Sequence, residues 1–128
     1  MVGNMVRAAI EAARKAIEST YEGVLMVTEH QKVTDEKTRL TDYQDVVVLV
    51  DQPCHLSFET LKSAVQTDSA AAVIQTIKLF VSPDITIRAG SKITVTQAGV
   101  TTDYICSGIP AVYETHQEIM LELFERWA

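Results

Sequence analysis

Three histidines and two cysteines are the residues of this 128-residue chain best equipped for metal or acid–base chemistry. Their spacing argues against both uses. Cys54 and His55 are adjacent, so on a strand their side chains point to opposite faces and cannot share a metal without a bulge. His30, Cys106 and His116 lie far apart, with no Cys-x-x-Cys or His-x-x-x-His pair. Buried, reduced thiols and surface imidazoles are the expectation, as in a cytosolic protein without a disulfide framework. His116 and Glu118 would share one face of an extended segment, where a surface pair is expected rather than a proton-transfer couple. No serine occupies a Gly-x-Ser-x-Gly elbow, and Ala89-Gly90-Ser91 and Ser107-Gly108-Ile109-Pro110 read as hairpin turns, not phosphate-binding loops. The chain is therefore expected to be no enzyme and to use neither metal nor cofactor.

The elements around these residues follow from periodicity. Between Ile77 and Leu123 the apolar residues recur every second position: Ile85 and Ile87 alternate with Thr86 and Arg88, and Ile93 and Val95 with Thr94 and Thr96. Ala89-Gly90-Ser91 and Gln97-Ala98-Gly99 supply reversals, which predicts four short strands in an antiparallel meander. Upstream, Val24 and Met26 alternate with Leu25 and Val27 before the polar turn Thr34-Asp35-Glu36-Lys37 and a return strand through Thr41 to Val50. The run Val46 to Val50 is apolar on both faces, which predicts burial by the core on one side and by the helix or a neighbouring subunit on the other. Asp51-Gln52-Pro53 marks a corner ahead of a strand with Cys54, Leu56 and Phe58 inward, and Val73 to Val81 reads as another.

Three segments fall outside the strands. Val2, Met5, Val6, Ala9, Ile10, Ala13 and Ile17 recur at three- and four-residue spacing opposite Arg7, Glu11, Arg14, Lys15 and Glu18, an amphipathic helix over 1–19 that packs on its own barrel or against a second subunit. Residues 59–72, ETLKSAVQTDSAAA, match neither period and read as a long loop with room for one helical turn. At the other end Ile119, Leu121 and Leu123 fit a strand, while Ile119, Met120, Leu123, Phe124 and Trp127 fit a helix; the strand is favoured, with 124–128 as a tail. Phe124 and Trp127 either fold back onto the barrel or hook another subunit. The expected architecture is one mainly β domain over 1–128: a small antiparallel β-barrel over 20–123, an N-terminal amphipathic helix and one long loop.

Composition narrows the function classes. Hydrophobic residues make up 47% and charged residues 22%, the balance of a globular domain. No apolar run approaches the length of a membrane span, and the N-terminal helix has no continuous hydrophobic region of a signal peptide, so a cytoplasmic protein is expected. With 17 acidic and 11 basic residues the net charge is −6, and no dense Lys/Arg cluster forms a phosphate-binding stripe. Tight nucleic-acid binding is disfavoured, whereas letting nucleic acid pass without adhesion is compatible with an acidic surface.

The passage IKLFVSPDITIRAGSKITVTQAGVTTDYICSGIPAVYETHQEIMLEL, with EHQKVTDEKTRLTDYQDVVVLVDQPCHLSF before it, resembles the small head-to-tail connector proteins of tailed phages and prophages of Gram-positive bacteria, the head-completion or stopper group. The resemblance spans about Tyr21 to Trp127. It implies a ring of barrels between the portal of the DNA-filled head and the tail, with portal or adaptor proteins and a tail-completion protein as partners. It also implies subunits that can be monomeric when free, DNA that passes without sequence-specific binding, and a location in the host cytoplasm during assembly and then in the virion. The family's channel loop corresponds here to Leu61, Lys62, Ser63, Ala64, Val65, Gln66, Thr67, Asp68 and Ser69, and Val46, Val48, Val50, Phe124 and Trp127 are candidate subunit or partner contacts. A tail-completion or minor capsid protein shares the same logic, and a small-ligand-binding barrel is a more distant alternative that requires an apolar pocket with convergent polar groups.

Overall fold

The computed structural model describes the backbone of residues 2–67 and 70–127, and the side chains within those ranges apart from residues 2 and 61–74. Helix α1 (Val2–Glu18) precedes strands β1 (Gly23–Thr34), β2 (Thr41–Thr67), β3 (Ala70–Val81), β4 (Lys92–Gln97), β5 (Val100–Cys106), β6 (Ala111–Val112) and β7 (Gln117–Leu123). The sheet runs β3-β2-β1-β4-β5-β7-β6, and β3 also pairs with β7, so six strands close into an antiparallel barrel. Two-residue β6 lies on the β5 side of β7, beyond the point where β5 pairing ends.

Alternation places the core. Leu25 and Val27 of β1, Cys54 and Leu56 of β2, Leu79 and Val81 of β3, Ile93 and Val95 of β4, Tyr104 and Cys106 of β5, and Ile119 and Leu121 of β7 all point inward and are buried. Ala98 (φ 52°) and Gly99 (φ 76°) turn β4 into β5 with Gln97 opposite Val100, a two-residue hairpin in which both central residues are left-handed, so the predicted reversal forms.

The meander is corrected at one link. Ile85 and Ile87 alternate without joining a ladder: residues 83–91 form an irregular connection that carries the chain from β3 to β4, which pairs with β1 instead. An extended segment gives a period of two whether or not it is paired. Here Ile87 is buried against the core, and the buried Gln117 amide donates to the carbonyls of Ser82 at 3.1 Å and Ile85 at 3.0 Å, holding the connection in place of a neighbouring strand.

Strand β2 is 27 residues long and serves two ladders. Its first half pairs with β1 up to Gly23↔Cys54, and its second half pairs with β3 from Cys54↔Val81 onward. Between Leu25 and Val27 the partner shifts from Gln52 to Leu49, and between Val27 and Thr28 from Leu49 to Val47, so β2 carries an extra residue at each step. These two bulges, with Asp51 at φ 53°, make the corner that Asp51-Gln52-Pro53 predicted.

The predicted helix and final strand both form, but the helix barely packs. Ile10, Arg14, Ile17 and Glu18 lie half-buried along one edge, while Met5, Val6, Ala9 and Ala13 are exposed. Arg14 pins it to the barrel end through Asp84 Oδ2 at 2.7 Å and the Glu114 carbonyl at 2.9 Å. Among the described residues no helix is long and apolar enough to cross a membrane.

Candidate interaction surfaces

The segment read as a loop, 59–72, is a strand ribbon. Strands β2 and β3 remain paired from Glu59↔Thr76 through Lys62↔Val73 and, after an irregular step, at Gln66↔Ala71 and Thr67↔Ala70. Leu61, Lys62, Ser63, Ala64, Val65, Gln66 and Thr67 therefore belong to β2; Asp68 and Ser69 lie outside the described residues. The ribbon stands clear of the barrel, because β7 pairs with β3 only between Ile77 and Val81 and β1 leaves β2 at Cys54. A two-stranded ribbon without a core beneath it needs no inward apolar face, which is why its sequence shows no alternation.

Gln97 secures the root of this arm. Its Oε1 accepts the Leu56 amide at 2.8 Å and its Nε2 donates to the Leu56 carbonyl at 3.2 Å, so one side chain supplies the rung that β1 would have made. Beside it the barrel mouth exposes inward-parity apolar side chains: Phe58 is 52% exposed, Val100 64% and Leu123 61%. A groove of about 240 Å³ runs between Leu56, Phe58, Val95, Gln97, Val100 and Tyr104. Both polar ends of Gln97 are already engaged on Leu56, which leaves that amide unavailable to orient a ligand in the groove.

The valine run is also open. Leu49 packs against the core and Val46 is half-buried, but Val47, Val48 and Val50 are exposed, so of the two covers expected, the helix or a neighbouring subunit, the helix is not the one. The two bulges shift the alternation inside the run, and α1 is held at another place by Arg14.

Phe124 and Trp127 fold back. The His30 ring stacks between Tyr43, at 4.8 Å, and Trp127, at 4.9 Å, and Phe124 meets Trp127 edge-on at 5.0 Å. The Lys92 ammonium lies 5.3 Å from the Phe124 ring and 5.8 Å from that of Trp127, and the Phe124 amide donates to the Asp103 carbonyl at 3.0 Å. The tail is thus a clasp on β1 and β4, the fold-back of the two alternatives expected for it. His30 Nδ1 is 2.9 Å from Asp45 Oδ1, and this hydrogen bond first of all holds the Asp45 carboxyl below the usual carboxylate range. Sequence reasoning allowed the fold-back but not its partners, His30 and Lys92. The register that sets His30 opposite Asp45 and Lys32 opposite Tyr43 puts His30 and Tyr43 diagonally on one face, a placement visible only once the turn is fixed.

The chain matches no protein-family model and no curated protein. A similar solved structure is the phage-like element PBSX protein xkdH from Bacillus subtilis, 14% identical, with a TM-score of 0.48 over 78% of this chain and 91% of that one. A likeness at that level assigns no role.

The remaining chemically capable residues are spread over the barrel. His116 stacks on Tyr113 at 4.8 Å and places Nε2 3.0 Å from Glu118 Oε2, while Lys78 Nζ lies 3.0 Å from Glu118 Oε1. This is the surface pair expected from the spacing, extended by a lysine from β3. The His116 hydrogen bond, then that of Lys78, lowers the Glu118 carboxyl from its ordinary value. Both cysteines are free and buried; desolvation pushes the Cys54 thiol up to about 12 and raises Cys106 as well, so neither is a nucleophile near neutral pH. Cys54 is fully buried and His55 only half, the opposite-face placement predicted for this pair. Among the described residues no three His, Cys, Asp or Glu side chains converge on a point where a metal could bind.

Proposed function

We propose that the chain is a non-enzymatic structural subunit of a tailed-phage or prophage head-to-tail connector, set in a ring beneath the portal, where it retains packaged DNA and docks the tail. The observation that carries this reading is a closed barrel whose apolar valine face, helix face and two-stranded arm are all left outside the core. A barrel of this kind holds its own shape, and its uncovered apolar surface contributes about 25 cal/mol per Å² only when a neighbour removes it from water. The connector-like motifs from Tyr21 to Trp127 supply the station.

Within that reading the arm strand from Leu61 through Lys62, Ser63, Ala64, Val65 and Gln66 to Thr67 reaches toward the ring axis. The arm acts as a steric bar rather than a phosphate grip: Glu59 and Asp68 outnumber Lys62 along the segment, and the chain carries a net charge of −6. A paired ribbon closes a channel more stiffly than a loop, because each backbone rung restrains the strand beside it.

The test is to replace 59–72 by a short turn in the phage or prophage that carries the gene. The barrel is expected to stay folded, and the heads to lose DNA or fail to join tails. Filled, infectious particles made with the armless protein would refute the arm assignment. Capture of portal protein by the intact chain tests the station itself, and capture of tail-completion protein alone would move it to the neighbouring layer.

A further inference from the structure

Helix α1 meets the barrel with the margin of its apolar stripe, not with the middle. At about 100° per residue, Met5, Val6, Ala9, Ile10, Ala13 and Ile17 fall on one arc centred close to Ala13, with Ile10 and Ile17 at one margin and Arg14 just beyond them. That margin is the half-buried edge of the helix. Met5 is 74% exposed and Val6 52%, and Ala9 and Ala13 are exposed as well. Among the described residues, the hydrogen bonds that join α1 to the barrel both come from Arg14, to Asp84 Oδ2 at 2.7 Å and to the Glu114 carbonyl at 2.9 Å. The Asp84 side chain is 72% exposed, so water and salt compete directly for the first of them. The seam also encloses polar atoms that it does not satisfy. Arg14 Nε and the Tyr21 hydroxyl are buried without a hydrogen-bond partner among the described residues. Tyr21 follows the helix directly, its amide donating to the Glu18 carbonyl at 3.1 Å, and burial first, with Glu18 and Cys54 near it, pushes its phenol above the ordinary 10.0.

We propose that α1 is a releasable flap: residues 19–22, which belong to neither α1 nor β1, are its hinge, and the Arg14 bonds to Asp84 and the Glu114 carbonyl are its catch. A buried donor without a partner costs free energy that contact with water returns, so release favours both Arg14 Nε and the Tyr21 hydroxyl. What release gives up is small. Ile10 and Ile17 are only half-buried in the docked position, and an ion pair with a largely exposed partner contributes little. The docked and released positions are therefore close in free energy, and the catch sets the balance between them. Release joins Ile10 and Ile17 to Met5, Val6, Ala9 and Ala13 in one accessible stripe, so Arg14 gates how much apolar helix the chain presents. The inference concerns the free chain and does not rest on the assembly reading above.

The experiment places nitroxides at Ala8→Cys on α1 and Thr101→Cys on β5, both exposed positions, and measures their separation by double electron–electron resonance. Native Cys54 and Cys106 are buried and stay unlabelled. Two populations are expected, a narrow one for the docked helix and a broad one for the released helix. Raising the salt from about 0.05 M to about 1 M, or substituting Asp84→Asn, is expected to raise the ratio of released to docked chains about threefold, because each weakens the catch. Tyr21→Phe is expected to lower that ratio about fivefold, because it removes a buried donor that the docked position leaves without a partner. A single narrow distribution that neither salt nor Asp84→Asn broadens would overturn the proposal. So would a released population that Tyr21→Phe leaves unchanged or enlarges.

Discussion

Replacing Gln97 by Met removes the amide that ties β4 to Leu56 while keeping the side-chain length. Two hydrogen bonds are lost, to the Leu56 N–H at 2.8 Å and to its carbonyl at 3.2 Å. Each is worth about 1 kcal/mol net, and a backbone group left without a partner costs about 1–3 kcal/mol where water cannot reach it. Gln97 is half-buried, so water recovers part of that cost, and the expected loss is about 2 kcal/mol. For a chain of this size that lowers the midpoint by about 7 °C. Urea and thermal unfolding followed by circular dichroism should show a lower midpoint with an unchanged urea slope, since the surface exposed on unfolding is the same. Gln97→Glu sharpens the test. A carboxylate can still accept the Leu56 N–H but sets a second oxygen against the Leu56 carbonyl, so this variant should be the less stable of the two near neutral pH. It should approach the parent protein as acid protonates the new carboxyl and restores a donor. A loss below about 0.5 kcal/mol for Gln97→Met, the usual range for a surface change, would refute the view that this side chain completes the β2 ladder.

Gly23→Ala should destabilise by about 1–3 kcal/mol in the same assay, because the new methyl would sit 3.0 Å from Gln97 Oε1, 3.2 Å from the Cys54 carbonyl oxygen and 3.3 Å from Cys54 Sγ. Glu118→Gln should flatten the acid limb of the stability curve. The folded carboxyl is held below its ordinary 4.5, so its contribution is complete above that value and is lost as pH falls through the lowered one. The difference between parent and variant, measured by urea unfolding at a series of pH values, should therefore shrink below about pH 4. Trp127→Ala should release the tail from His30, shifting the His30 ring proton signals while the barrel core signals stay in place.

Much of this architecture is written in the residues, and the gaps have physical causes. The helix, the Gln97-Ala98-Gly99 turn and the strand through Leu123 were legible because each owes its pattern to local geometry or to a buried face. Segment 59–72 was not, since a ribbon beyond the core has no inward side to mark with apolar residues. At Ile85 and Ile87 alternation reports an extended backbone and burial of Ile87 but says nothing about a partner strand. Val46 to Val50 looked like a doubly buried strand because apolar character shows that a face prefers to be covered, not whether its own chain covers it. The clasp of Trp127 on His30 joins residues from opposite ends of the barrel segment and leaves no local signal.

The length of β2 carries a mechanical consequence. Its 27 residues have a contour of about 90 Å and run without a break from the β1 hairpin, around the corner at Asp51, to the far end of the arm. A pull on the β2 end of the arm is therefore borne along the strand axis, in shear across the rungs of the β1 ladder, instead of opening them one at a time. The two bulges near Val48 and Asp51 turn the strand at the corner without interrupting it, so the load path changes direction there but does not end.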